Sequence, residues 1–189
     1  MNPPPIPNQV ILVALAIIAA LYDVWFRRIP NWLTLAGVVV GIGLNAFLAV
    51  DGLSWYEGYN WRSALGGMGL ALLIYFPLYL LRGMGAGDVK LMAAVGALVG
   101  PMNWFGIFVL GNVFGGIAAV FILLAHGGVR RTFSNVGYML IELIHFRLPY
   151  LRKEELDVKN PKAVTMPHGV AIAIGCGAFL VAAAVWAPK

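Results

Sequence analysis

The chain has one cysteine, Cys176, among its 189 residues. No disulfide can close within it, and no Cys-x-x-Cys pair exists to hold a metal. The histidines are few: His126, His145 and His168 do not fall at metal-ligand spacing, and no His-Glu-x-x-His run occurs. They read as interfacial side chains. Charge is scarce too. Asp, Glu, Lys and Arg make up 11% of the residues, against about 25% in a soluble domain. A chain so poor in charge cannot present a wetted surface all round. What it has in quantity is apolar: 61% hydrophobic residues and a mean hydropathy of +0.84. The composition predicts an all-α, polytopic membrane protein, one domain over residues 1–189.

A spanning helix needs about 20 apolar residues. Six such runs are legible: 9–26, 32–50, 64–81, 85–100, 104–125 and 167–186. The fourth and fifth are separated by Gly100-Pro101-Met102-Asn103, a strong punctuation signal. The opening run has no basic residue before it, so it reads as a retained first span and not as a signal peptide. All six tryptophans fall near predicted span ends, where amphipathic rings anchor at the interface. Between spans five and six, the segment 131–151 spaces Phe133, Val136, Leu140, Leu143 and Ile144 as an amphipathic helix on the membrane surface.

Lysine and arginine orient the spans. Arg27, Arg28, Arg82, Lys90, Arg130, Arg131, Arg147, Arg152, Lys153, Lys159 and Lys162 all fall on one side; only Arg62 and Lys189 fall on the other. The crowded side is expected to be the cytoplasm, with both termini on the opposite face and the segment 127–165 as the largest cytoplasmic loop. The formal charge of +5 is then a topology signal and a contact for lipid headgroups, not a nucleic-acid surface.

Two acids stand apart from the rest. Asp23 lies in the last turns of span one and Asp88 in the first turn of span four. Alternating spans bring those ends to the same face, at one membrane depth. An ionisable residue at such a depth is a functional candidate. Two carboxylates in close approach share a single proton. The ionised one can then activate a water while the protonated one donates to a peptide carbonyl, which is aspartyl proteolysis without metal or cofactor. Gly85 and Gly87 would let a substrate backbone come close. Blander readings fit the same residues. Asp88 can cap its helix, Asp23 can pair with Arg27 at i+4, and paired acids also serve proton relays in transporters.

At these residues the sequence resembles a known family. Gly85-Ala-Gly-Asp-Val-Lys90 resembles the GxGD-x-K signature of bacterial type IV prepilin peptidases. Asp23-Val-Trp-Phe-Arg-Arg-Ile-Pro-Asn31 resembles their upstream aspartate motif, and Met166-Pro-His-Gly169 the entry to their last helix. The resemblance implies an intramembrane aspartyl endopeptidase of the bacterial inner membrane. It implies Asp23 and Asp88 as the catalytic pair. It also implies that Gly85, Gly87, Lys90, Arg28, Pro30, Asn31, Pro167, His168 and Gly169 shape the site or meet substrate. Pro30 would fix the turn and Asn31 would cap span two. The implied partner is a prepilin or pseudopilin with an apolar N-terminal helix; no cofactor and no metal are implied.

The departures narrow the resemblance. Long members carry a cytoplasmic segment with two CxxC pairs between the first spans, and many also methylate the cleaved pilin. Here only a few residues join those spans. The short form is similar to the Tad/Flp-pilus branch, which removes a short basic leader and is not expected to methylate. Presenilin-like proteases share YD and GxGD but add a Pro-Ala-Leu element that this chain lacks. A small proton-coupled transporter or a pilus-assembly scaffold is the alternative from another class; the inverted repeats common in transporters are not visible.

Overall fold

The computed structural model describes residues 3–50, 58–82, 84–126 and 168–186, with single positions between 134 and 145. Among these residues the chain is helical, without strands. Its elements are α1 (Ile6–Phe26), α2 (Asn31–Val50), α3 (Trp61–Leu80), α4 (Ala86–His126) and α5 (His168–Trp186). α1, α3, α4 and α5 are each long and apolar enough to cross a membrane, and α2 holds a shorter apolar stretch, Asn31–Phe47. The protein is a multi-pass membrane protein. The expected amphipathic segment 131–151 lies mostly outside the described residues.

The two runs read from sequence as spans four and five are two helices joined at Gly100 with no intervening loop, a stretch of 41 residues. Drawn straight, it would be about 60 Å long, twice the hydrocarbon thickness of about 30 Å. It is not straight. Gly100 has φ 75° and ψ 172°, a backbone state that side chains disfavour, and Pro101 follows. Trp104 Nε1 donates to Met92 O at 3.0 Å. In a straight helix those residues stand about 18 Å apart. The chain therefore doubles back at Gly100-Pro101, and the limbs 86–99 and 101–126 lie side by side.

That reversal frees backbone carbonyls inside the packed bundle, where Ala97 and Leu98 are both fully buried. Pro101 has no N–H to give Ala97 O, and Leu98 O lies in the same broken turn. An unpaired carbonyl in hydrocarbon is expensive. Asn45 Nδ2, from α2, donates to Ala97 O at 2.9 Å. Asn8 Nδ2, from α1, donates to Leu98 O at 2.7 Å. Both asparagines are fully buried. Two polar side chains inside apolar runs thus complete a helix end that belongs to neither of their own helices.

The first limb of α4 is the centre of the fold: residues 91–100 are all buried. Lipid tails give no hydrophobic drive for helix pairing, so close van der Waals approach must supply it. α3 crosses the limb at Gly67 and Gly96, where a Cβ on either glycine would overlap the other's backbone. α2 presents Gly37 and Gly41, one turn apart, against Ala94 and Ala97. α5 meets the second limb at Gly175 and Gly111. Tyr75 of α3 fills the remaining space with Trp104 and Phe108, in edge-on ring contacts at 6.1 and 5.8 Å.

Asn8, near the start of α1, meets Leu98, near the end of the limb. The two helices therefore run antiparallel, and the end of α1 comes level with the start of α4. Asn45→Leu keeps the branched four-atom shape of the side chain and removes the donor to Ala97 O. It is expected to lower stability by about 1–2 kcal/mol, seen as a lower melting temperature in detergent. Gly69→Ala, at a position where an added Cβ meets nothing within 4 Å, is expected to melt with wild type. Equal melting of Asn45→Leu and wild type would show that the carbonyl is satisfied by other means.

Candidate active site

α1 ends because Arg27 turns into the left-handed region, with φ 52°, and its N–H closes on Asp23 O. Left-handed termini are a common helix stop, although glycine is the usual occupant. Pro30 precedes α2, where Thr34 N returns to Pro30 O at 3.4 Å and Thr34 Oγ1 donates to Asn31 O at 3.0 Å. Tyr22 stacks edge-on to Trp32 across this turn, ring centres 6.4 Å apart. The short connection is thus rigid, and it holds Asp23 one turn inside the bundle.

Asp88 occupies the third position of α4. Its carboxylate accepts from the Gly85 amide, the reach-back half of a capping box. It therefore caps its helix, as one of the blander readings holds, and does so while buried. Asp23 and Asp88 are each 9% exposed, which keeps both carboxylates largely out of water. Asp88 lies within electrostatic reach of Asp23 and of His168. The two acids arrive from helix ends 65 positions apart in sequence, on helices that do not follow one another.

A third element completes the arrangement. Gly169, at the start of α5, donates its backbone N–H to Asp23 Oδ2 at 2.8 Å. A Cβ on Gly169 would stand 3.0 Å from Asp23 Cβ and 3.0 Å from Oδ2, so the amide can come this close only without a side chain. Each aspartate therefore accepts a hydrogen bond from a glycine amide outside its own helix. Neither side chain is free to rotate away.

The other candidates sort into two groups. Lys90 Nζ donates to Asn31 Oδ1 at 2.9 Å, tying the start of α4 to the start of α2. Asn31 is therefore the first residue of α2, with its side chain engaged by Lys90, and not the cap expected from sequence. Gly87 leaves room for Ile29, whose Cβ would lie 3.1 Å from an added Cβ. Its missing side chain serves the packing of the α1–α2 turn. Arg28 is exposed and Pro30 half-buried beside that turn. Pro167 lies outside the described residues. Among the described residues, no cluster of three or more His, Cys, Asp or Glu side chains gathers at metal-binding distance.

A family model described as the type IV leader peptidase family matches residues 10–120. That is more than half of the chain, and it contains both aspartates. The chain belongs to the type IV leader peptidase family. It is thus a peptidase of the membrane, and the leader peptides of prepilins are the substrates that this family implies. No curated protein and no solved structure matches it. In this leader peptidase the match ends before α5, so the Gly169 contact to Asp23 is a contribution from outside the matched region.

Tyr75 was not singled out by sequence, yet it lies within electrostatic reach of Asp88. A tyrosine in a span also reads as an ordinary aromatic, and only the packing of α3 on α4 reveals its place. Gly169→Ala is expected to reduce peptidase activity tenfold or more, because the added methyl displaces Asp23 or the amide that holds it. Gly177→Ala, on the same helix where nothing lies within 4 Å of an added Cβ, is expected to leave activity intact. Cleavage of a prepilin in detergent or proteoliposomes measures both. Full activity in Gly169→Ala would separate that amide from the working site.

Proposed function

We propose that the protein is an aspartyl endopeptidase that removes the short basic leader of a type IV prepilin, of the Flp type, at the cytoplasmic membrane face. The observation that carries the reading is the meeting of Asp23 and Asp88. Both are buried, both are anchored by a backbone amide, and they are close enough to interact. Two carboxylates so placed hold one proton between them. The ionised carboxylate takes a proton from water as the water oxygen bonds to the peptide carbon. The protonated one gives its proton to the carbonyl oxygen. Collapse of the tetrahedral intermediate then breaks the C–N bond, and the proton taken from water passes to the leaving amine.

The same reading counts six crossings, taking the two limbs of α4 as two spans, and sets both termini opposite the cytoplasm in the bacterial inner membrane. The support is the reversal at Gly100 together with the one-sided distribution of Lys and Arg. The short α1–α2 turn, four residues from Arg27 to Pro30, leaves no room for the segment that accompanies methylation in long relatives, so the reading includes cleavage alone.

Asp23→Asn and Asp88→Asn are each expected to abolish cleavage of a co-expressed prepilin, read as the mass of its new N-terminus. Asparagine keeps the shape but cannot cycle a proton. The double variant should be no more impaired than either single one, because groups acting as a unit are non-additive. The pH–rate profile should fall on both sides, since the active pair carries one proton. Robust cleavage by either single variant, in folded protein, would remove the aspartyl mechanism and leave the transporter or scaffold alternative.

A further inference from the structure

A groove of about 370 Å³ runs along the second limb of α4. Its floor is the face formed by Phe108, Gly111, Asn112, Gly115, Gly116 and Ala119, positions spaced three and four apart, as one side of a helix requires. Its walls come from α3, through Tyr75 and Leu78, and from α5, through His168 and Ile172; Met84 and Met92 close it beside the start of α4. Three features set it apart from an ordinary lipid-facing crevice. Tyr75 and His168, which line it, are both within electrostatic reach of Asp88. Four of the six floor positions are Gly or Ala, and at Gly116 an added Cβ would meet nothing within 4 Å. Among the described residues no carboxylate lines it, so it offers no ion pair to a basic peptide.

We infer that this groove receives the apolar flank of the substrate, the side chains that follow the cut bond, while the basic leader stays outside it. The inference rests on the peptidase reading of Asp23 and Asp88 and assigns the place where the substrate is gripped. A peptide bond must be extended to lie between two carboxylates, and a groove lying along one face of the limb can take the side chains of the neighbouring residues. The methionines give the walls adaptable apolar surface, while Gly116 and Ala119 set how large an entering side chain can be.

Two experiments test this, each with a readout of its own. In the Asp88→Asn protein, which binds without turnover, a photo-crosslinking amino acid at Ala119 is expected to form an adduct with a type IV prepilin. Fragment masses should map it to apolar residues just after the junction. The same probe at Phe121, on the opposite side of the limb and 69% exposed, is expected to label lipid only. In otherwise wild-type protein, Gly116→Phe is expected to reduce kcat/KM at least tenfold for a prepilin with Leu or Phe next to the junction. A prepilin with Ala there should be cut within about twofold of the wild-type rate. Adducts from Ala119 confined to lipid or to the leader would overturn the groove assignment, as would an equal loss for every prepilin. If the wild-type chain cuts no prepilin, the peptidase reading fails by itself, and the crosslinking arm still reports whether the groove is occupied.

Discussion

A buried backbone carbonyl needs a partner, and this fold reverses its chain abruptly at the end of its most buried limb. Everything around the first limb of α4 can be understood from how that conflict is resolved. Gly100 and Pro101 turn the chain back, and Asn8 and Asn45 reach in from α1 and α2 to the carbonyls left behind. Those two hydrogen bonds do more than satisfy oxygen atoms. They help fix how far α1 and α2 slide along the limb, because both side chains reach the same two neighbouring carbonyls, Ala97 O and Leu98 O. α3 is fixed separately, by the glycine crossing at Gly67 and Gly96.

The site inherits this alignment. Asp23 lies about 22 Å along α1 from Asn8, at 1.5 Å per residue, and Asp88 lies at the far end of the limb from Leu98. With one end of the antiparallel pair locked, both acids come to the same end of the bundle, Asp88 about 15 Å along the limb from Leu98, and Asp88 lies within electrostatic reach of Asp23. The local contacts then refine a position that helix packing has already set. Gly169 holds Asp23, Gly85 holds Asp88, and the Lys90–Asn31 hydrogen bond ties the two motif-bearing segments across the gap. The paired acids and the asparagines that complete the turn thus occupy opposite ends of the bundle.

Much of this was legible in the sequence, for identifiable reasons. The helix ends at Phe26, Val50 and Trp186 coincide with the ends of apolar runs, because burial in lipid demands continuous apolar sequence. The reversal falls where Gly100-Pro101 stands, because those residues carry their backbone preferences with them. Alternation of spans was enough to place Asp23 and Asp88 at one end. What stayed hidden depends on how each helix is rotated about its axis, which counting spans does not fix. The roles of Asn8 and Asn45, the Gly169 amide on Asp23, and the proximity of Tyr75 to Asp88 are of this kind. Asn31 and Gly87 were assigned to a helix cap and to substrate approach; their actual neighbours, Lys90 and Ile29, come from segments that sequence alone could not orient. The unexpected asparagines had a signal, a lone polar residue in an apolar run, which draws less notice than an acid does.

The order of the capping residues along the chain has a consequence for biosynthesis. Proteins leave the ribosome from the N-terminus. Asn8 and Asn45 are made before Ala97, Leu98 and the Gly100-Pro101 turn. When the interrupted hairpin enters the bilayer, the donors that complete it are already there, on helices inserted earlier. A chain with the same helices in the reverse order would have to insert its hairpin first, with those two carbonyls unpaired by side chains until their partners were translated. The fold is therefore arranged so that its tightest turn is the guest of a host already built.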